Sequence, residues 1–362
     1  MSDTVRYGLV GTGMMGVEHI NNLAVTPGAV VTALADPVEN SLGWARKALG
    51  ERAEGVATFA DGAALARSGL VDAVIVASPN HTHRTVLEPL FDAGLPILCE
   101  KPLATTLDDA RWVVEQARKS GAPFWTAMEY RYMPPVAEFI DEVHSGRVGQ
   151  LRMLSIREHR FPFLQKVGDW NRFSRNSGGT MVEKCCHFFD LMRLITRSEA
   201  VRVYCSGAMD VNHLDERYEG RRPDIIDNSY TTVDFANGVR AMLDLSMFAD
   251  GAENQEEITA VGNKARLDVL IPSGEIIHSP RVGFRNPKNV ERRTVGVDPT
   301  ALNAGSHHGS TFYQHQAFNA AVRGVGPVEV TARDGLMAVA IGTAAEISAR
   351  ENRVVTLQEL GF

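Results

Sequence analysis

Gly11-Thr12-Gly13-Met14-Met15-Gly16 follows directly on an apolar run, Val5–Val10, and leads into a helical pattern. A G-x-G-x-x-G with a strand before it and a helix after it constrains the fold more than any other part of this chain. The first glycine makes the tight turn, the second lets backbone approach a pyrophosphate, and the third lets the helix pack closely on the strand. A pyrophosphate placed there meets free amide N–H groups and the positive end of the helix dipole. The second strand ends in Ala35-Asp36-Pro37, with a carboxylate 20 residues beyond Gly16, the spacing of a ligand for ribose hydroxyls. A carboxylate at that point accepts from the diol of NAD and repels the 2′-phosphate of NADP. NAD is therefore the expected cofactor, with Gly11, Thr12, Gly13, Met14, Met15, Gly16 and Asp36 holding it.

The chain around this motif has a βαβ rhythm: Val5–Val10, Val30–Ala35, Ala73–Ser78 and Pro96–Glu100 read as strands, with Pro37–Leu49 and Arg84–Ala93 as covering helices. Ala73-Val74-Ile75-Val76-Ala77 is apolar at every position, as a strand buried on both faces of a parallel sheet must be. Beyond about Phe124 the pattern changes. Thr231–Phe235 and Val239–Leu245 flank Asn237-Gly238, and Glu257–Val261 and Ala265–Ile271 flank Gly262-Asn263. Both turns are expected to carry positive φ at their two central residues, closing hairpins of an antiparallel sheet. Two helical stretches, His308–Val322 and Arg333–Arg350, end the chain. The expected fold class is α/β, with a Rossmann dinucleotide-binding domain over residues 1–125 and an α/β domain over residues 126–362.

With 362 residues, 44% hydrophobic and 22% charged, each half is long enough to bury its own core. No stretch approaches the roughly 18 apolar residues of a membrane helix. Met1-Ser2-Asp3-Thr4 runs into the first strand without the basic flank and cleavage site of a signal peptide, so a cytoplasmic location is expected. Cys99, Cys185, Cys186 and Cys205 form no C-x-x-C pair, and reduced thiols are expected. A net charge of −7 argues against a nucleic-acid partner. His81 and His83 have no nearby cysteine or carboxylate to complete a metal site, and the Gly305–His315 stretch lacks a third ligand at usable spacing, so no metal is expected.

Glu100-Lys101-Pro102 closes the strand Pro96–Glu100, and Gly178-Gly179 is followed by His187. Together with Gly11–Gly16, these residues resemble the glucose-fructose oxidoreductase/inositol dehydrogenase (Gfo/Idh/MocA) family over essentially the whole chain. The resemblance implies a second domain with a large, mainly antiparallel open sheet through which copies associate as a homo-dimer or homo-tetramer. It also implies oxidation or reduction of a carbinol carbon of a sugar or cyclitol with NAD(P). Lys101 matches the family's catalytic lysine, and Asn80 and His83 match its cofactor-side loop, beside Ser78 and Glu100. His187 stands at the position of a histidine preceded four residues earlier by an aspartate, where this chain has Glu183. If a helix runs through both, their i, i+4 spacing places them on one face. Glu183 then orients His187, touches a substrate hydroxyl, or is displaced. Glu129 stands where asparagine is frequent, and it is expected with Tyr132 on the substrate side.

The physical chemistry agrees: an ammonium at the strand's carboxyl end stabilises a developing alkoxide, and an imidazole suits proton removal at neutral pH. Between residues 152 and 184, seven Lys/Arg stand against three acids, a local balance of +4 that leaves −11 for the rest of the chain. This basic island suggests an anionic sugar, with Lys166, Trp170 and Arg172 as contacts; its plainer reading is an ordinary charged strand face. His308 and Tyr313 are expected at the pocket border. The leading expectation is an NAD-dependent oxidoreductase acting on a ring hydroxyl. The same parts serve two alternatives: a glycosidase working by transient oxidation at C3, elimination and re-reduction on an anionic glycoside such as a sulfoquinovoside or uronide, and a non-catalytic nucleotide-dependent sensor.

Overall fold

The computed structural model describes residues 4–362; Met1, Ser2 and Asp3, on which the leader reading rests, lie outside the described residues. Two sheets form among these residues. The first comprises β1 (Val5–Val10), β2 (Ala29–Ala35), β3 (Ala57–Phe59), β4 (Ala73–Val76), β5 (Ile97–Glu100) and β6 (Phe124–Ala127). Its order is β3-β2-β1-β4-β5-β6, and every pairing is parallel. That order reverses beside β1, so the crevice for a ligand lies where β1 and β4 diverge at their carboxyl ends. Every residue of β4, β5 and β6 is buried, which accounts for the unbroken apolar run of β4. Because β6 spans residues 124–127, a domain boundary at 125 falls inside the last strand of this sheet.

The second sheet comprises β7 (Leu151–His159), β8 (Ala200–Ala208), β9 (Asn228–Phe235), β10 (Arg240–Ser246), β11 (Glu256–Gly262), β12 (Ala265–Ile271), β13 (Glu275–Pro280), β14 (Glu291–Thr294) and β15 (Val355–Thr356). The order is β14-β13-β12-β11-β7-β10-β9-β8-β15. All pairs are antiparallel except β7 with β10. Period-2 alternation sends Leu154, Ile156 and Glu158 of β7 inward and Met153 and Arg157 outward. The outer face exposes Met153, Tyr230 and Met242.

Neither expected hairpin turn has two positive φ angles. Gly238 alone is positive, at φ 83°, and its N–H donates to the Phe235 carbonyl at 2.9 Å while Phe235 N–H donates to the Val239 carbonyl at 3.0 Å. This is a three-residue loop ending in a glycine bulge. Neither Gly262 nor Asn263 has positive φ. A Cβ at Gly262 would stand 2.0 Å from the Val148 carbonyl oxygen, so glycine is required there by close backbone approach.

The helix Ala332–Glu351 joins the two halves. Leu336 and Val339 pack on one side of the parallel sheet, Ala338 on the other, and Ile341 and Ala344 on the second sheet. Among the described residues no helix is long and apolar enough to cross a membrane, and all four cysteines are buried free thiols.

Candidate active site

The helix Met14–Val25 begins at Gly13 with no side chain capping its first amides, which leaves those donors for a ligand. A Cβ at Gly11 would lie 2.5 Å from Ser78 N, and one at Gly16 would lie 2.3 Å from the Gly11 carbonyl. At Gly13 a Cβ meets no protein atom within 4 Å, so protein packing does not require that glycine and approach of a phosphate does. Asp36 Oδ2 accepts from Thr12 N at 2.8 Å and Thr12 Oγ1 at 3.1 Å, and its Oδ1 accepts from Val38 N at 2.8 Å. The carboxylate is thereby fixed beside the glycine turn, and the residues fit a dinucleotide.

The loop after β4 carries Ser78 and Asn80, and the buried Asn80 Nδ2 has no protein partner. His83 is placed differently from expectation. It has zero exposure, and its ring nitrogens face the carbonyls of Leu103 at 3.3 Å and Ser78 at 3.1 Å. Burial lowers its pKa, so it is a neutral pin beneath the cofactor loop.

Lys101 leaves the carboxyl end of β5, and its Nζ donates to the Glu183 carbonyl at 3.2 Å. Burial disfavours its charge, but Cys186, Glu129, Glu100 and Glu183 outweigh that effect and the pKa stands raised. Glu100 Oε2 accepts from Lys101 N at 3.1 Å, and its Oε1 meets His19 Nε2 at 3.0 Å. His187 lies on the helix Cys186–Thr196 and is 2% exposed. Its ring stacks on Tyr130 with centroids 4.1 Å apart and planes 5° apart. Burial drives its pKa well down, and the charges of Lys101 and Lys184 add to that. The site therefore pairs a cation with a neutral imidazole.

Glu183 does not reach His187. The short helix Thr180–Glu183 ends before Cys186–Thr196 begins, so the i, i+4 relation fails across the break. Glu183 Oε1 instead takes Lys166 Nζ at 3.1 Å. The carboxylate facing His187 is Glu129, whose Oε1 lies 3.5 Å from His187 Nε2.

Other residues singled out in the sequence are placed as follows. Tyr132 donates to Glu329 Oε2 at 2.7 Å and packs against Trp125. In the tight turn Glu129–Tyr132 it is Glu129 and Tyr130 that are buried. Arg172 donates through Nε to Glu216 Oε2 at 2.8 Å and is buried, held by the loop before β9. His308 and Tyr313 give way to His307: the chain turns with positive φ at His308 and Gly309, sending His307 Nδ1 to Glu18 Oε1 at 2.6 Å. Tyr313 packs its ring edge on Phe312. Trp170 carries Lys166 Nζ 4.5 Å above its ring and His81 beside it.

The basic island is mostly ion-paired. Arg157 meets Glu257, Arg160 and Lys184 meet Glu158, Lys166 meets Glu183, and Arg172 meets Glu216. Tyr130, Lys184 and the Glu158/Glu256 pair were not legible as site residues. Glu158 and Glu256 are opposite each other on β7 and β11 and both are buried. Burial and Glu158 push Glu256 up to about 8, so it keeps its proton at neutral pH. Lys184 Nζ donates to Tyr130 Oη at 2.6 Å and lies 3.0 Å from Glu158, fixing the ring on which His187 stacks. Among the described residues, no group of three or more His, Cys, Asp or Glu is arranged to hold a metal ion.

Comparison with known proteins agrees with this architecture. Residues 5–128 match the oxidoreductase family described as an NAD-binding Rossmann fold, and residues 140–357 match its C-terminal alpha/beta domain. A myo-inositol 2-dehydrogenase of Thermotoga maritima is 27% identical over 98% of this chain and 99% of its own. Inositol 2-dehydrogenase 2 of Saccharopolyspora erythraea is 32% identical over 82% of this chain and 79% of its own. A solved levoglucosan dehydrogenase in complex with NADH superposes with a TM-score of 0.83, at 20% identity, over 98% of this chain and 99% of that one.

Proposed function

This chain belongs to the Gfo/Idh/MocA oxidoreductase family, and on that premise we propose that it oxidises a ring hydroxyl of a sugar or cyclitol with NAD, between Lys101 and His187. The observation that carries the proposal is a buried histidine held neutral within reach of the charge of Lys101, itself held charged by the acidic groups around it. NAD, when bound at the glycine turn, supplies the hydride acceptor. Lys101 uses one proton on the Glu183 carbonyl and has two left to donate to the substrate oxygen, where its charge favours the developing alkoxide. His187, uncharged, takes the hydroxyl proton. Glu183, tied to Lys166 and offering its carbonyl to Lys101, positions the ammonium. The names of the inositol dehydrogenase relatives support the polyol class.

The ion pairing of five of the seven island bases favours a neutral polyhydroxylated ring over the anionic sugar that the charge count suggested. The exposed Met153, Tyr230 and Met242 support association of copies through the outer face of the second sheet.

The test is an assay with NAD against myo-inositol, glucose, glucuronate, sulfoquinovose and their available nitrophenyl glycosides, following nicotinamide absorbance and nitrophenolate together. The expected result is NADH formed with a free neutral polyol and lost in Lys101→Ala and His187→Ala. Nitrophenolate without net NADH would establish the redox-neutral glycosidase instead. NAD binding without turnover on any sugar would favour a sensor.

A further inference from the structure

The proton removed from the substrate needs a final acceptor, and a neutral buried histidine is a poor one. His187 Nδ1 has no partner in the protein, and its Nε2 faces Glu129 Oε1 at 3.5 Å. Both residues are 2% exposed. Nδ1 is sealed inside the protein, so a substrate proton reaches the ring at Nε2, the nitrogen that faces Glu129. Glu129 is otherwise unengaged: neither of its oxygens has a hydrogen-bond partner, an unusual state for a buried carboxylate away from a functional site. Glu183, at the family's usual carboxylate position, gives one oxygen to Lys166, and no contact joins it to His187, which Glu129 faces.

We propose that Glu129 is the proton acceptor of the reaction, working as one unit with His187. The proposal rests on the dehydrogenase reading above. The substrate C–H bond breaks with its electron pair leaving as hydride to the nicotinamide. The O–H electron pair becomes the second bond of the carbonyl, and the hydroxyl proton passes to the His187–Glu129 pair and rests on the Glu129 carboxylate. Water takes that proton when product leaves, and the carboxylate is restored.

The groups that set the charge on Glu129 come from several elements: Glu100 and Lys101 at the end of β5, Tyr130 beside it in its own turn, Cys186 and His187 on the helix Cys186–Thr196, and His307 on the segment before helix Ser310–Val322. Burial and Glu100 raise its pKa to about 7 against the opposing pull of His307 and Lys101. A carboxyl poised there gains and loses a proton at the operating pH.

The experiment compares wild type, Glu129→Gln, Glu129→Asp and Glu183→Gln by pH profiles of kcat and KM, and by 15N NMR of histidine-labelled protein. In wild type, kcat should rise with pH through about 7. Glu129→Gln should lower kcat by about 100-fold or more with KM nearly unchanged and remove the acid limb, Glu129→Asp should restore part of it, and Glu183→Gln should keep the limb. Independently of turnover, the His187 ring should stay neutral while its 15N signals shift through about pH 7 in wild type as Glu129 titrates, and lose that response in Glu129→Gln. An acid limb and His187 signals unchanged in Glu129→Gln would overturn the proposal. Loss of the NMR response in a protein that oxidises no polyol would confirm the coupled pair and refute the dehydrogenase reading alone.

Discussion

Arg131 forks through Nε and Nη2 onto the two oxygens of Asp190, both at 2.5 Å. The side chains are 11% and 1% exposed. Arg131 also donates to the Glu329 carbonyl at 3.2 Å and lies 3.6 Å from Asp334. Replacing it with methionine keeps much of the volume and leaves Asp190 buried without its bidentate partner. Breaking such a pair costs about 3–5 kcal/mol, most of it the penalty of the stranded charge. Burial already pushes the Asp190 carboxyl up, and without Arg131 it rises further, so the folded protein holds a proton that the unfolded chain releases. A raised carboxyl pKa makes the loss greatest at high pH and relieves it as pH falls. Urea unfolding of Arg131→Met should therefore show a larger deficit at pH 8 than at pH 5. The double variant Arg131→Met/Asp190→Leu should recover most of the stability, because no charge is left behind. A deficit under about 1 kcal/mol at pH 8, or a double variant no better than the single one, would refute the reasoning.

Gly13→Ala should fold as wild type, because the added Cβ meets no protein atom, yet weaken NAD binding by about tenfold or more in a fluorescence titration. Gly11→Ala, which drives a Cβ to 2.5 Å from Ser78 N at φ 92°, should lose thermal stability as well; equal NAD affinity in both variants and wild type would place the dinucleotide elsewhere. Burial raises Glu18, but His307 and Ser306 outweigh it and hold its carboxyl at about 2, while Glu18 raises His307 against burial. The Glu18 contribution is present above its ordinary 4.5 and is lost as pH falls through about 2. The His307 contribution is full below its ordinary 6.5 and is lost as pH rises through its raised value. Glu18→Gln should thus lose about 2 kcal/mol, most clearly between roughly pH 4.5 and 6.5, and a deficit independent of pH would contradict the pairing.

Four of the six strands of the parallel sheet were legible because they obey local rules, whereas the short β3 and β6 were not read. β4 is apolar throughout since both its faces are covered, and Gly11 and Gly16 are demanded by contacts with backbone within or beside the motif. The second sheet was legible only at its hairpins. β7 runs parallel to β10 and antiparallel to β11, pairings across about 87 and about 98–111 residues that no turn signal encodes. Lys101 and His187 were singled out because each ends or lies within a recognisable pattern. Glu183 was misdirected because the sequence does not mark the helix break at Lys184–Cys185, and Glu129 took the place facing His187 through tertiary contact alone. His307 and His308 are indistinguishable in sequence until the positive φ at His308 and Gly309 turns one inward. The charge count of the basic island left out two of its counter-charges, Glu216 and Glu257, which lie outside the window in which it was counted.

Transfer of hydride from a carbinol carbon is the centre of this account, and isotopic labelling reads it directly. A polyol identified in the substrate panel, deuterated at the carbinol carbon, would be incubated with the protein and NAD, and the nicotinamide examined by NMR. One deuterium at nicotinamide C4 is expected for each ketone formed, with a slowed rate relative to the protonated polyol. Ketone formed with no deuterium on the nicotinamide, or turnover in which deuterium returns to the sugar and no ketone accumulates, would contradict it.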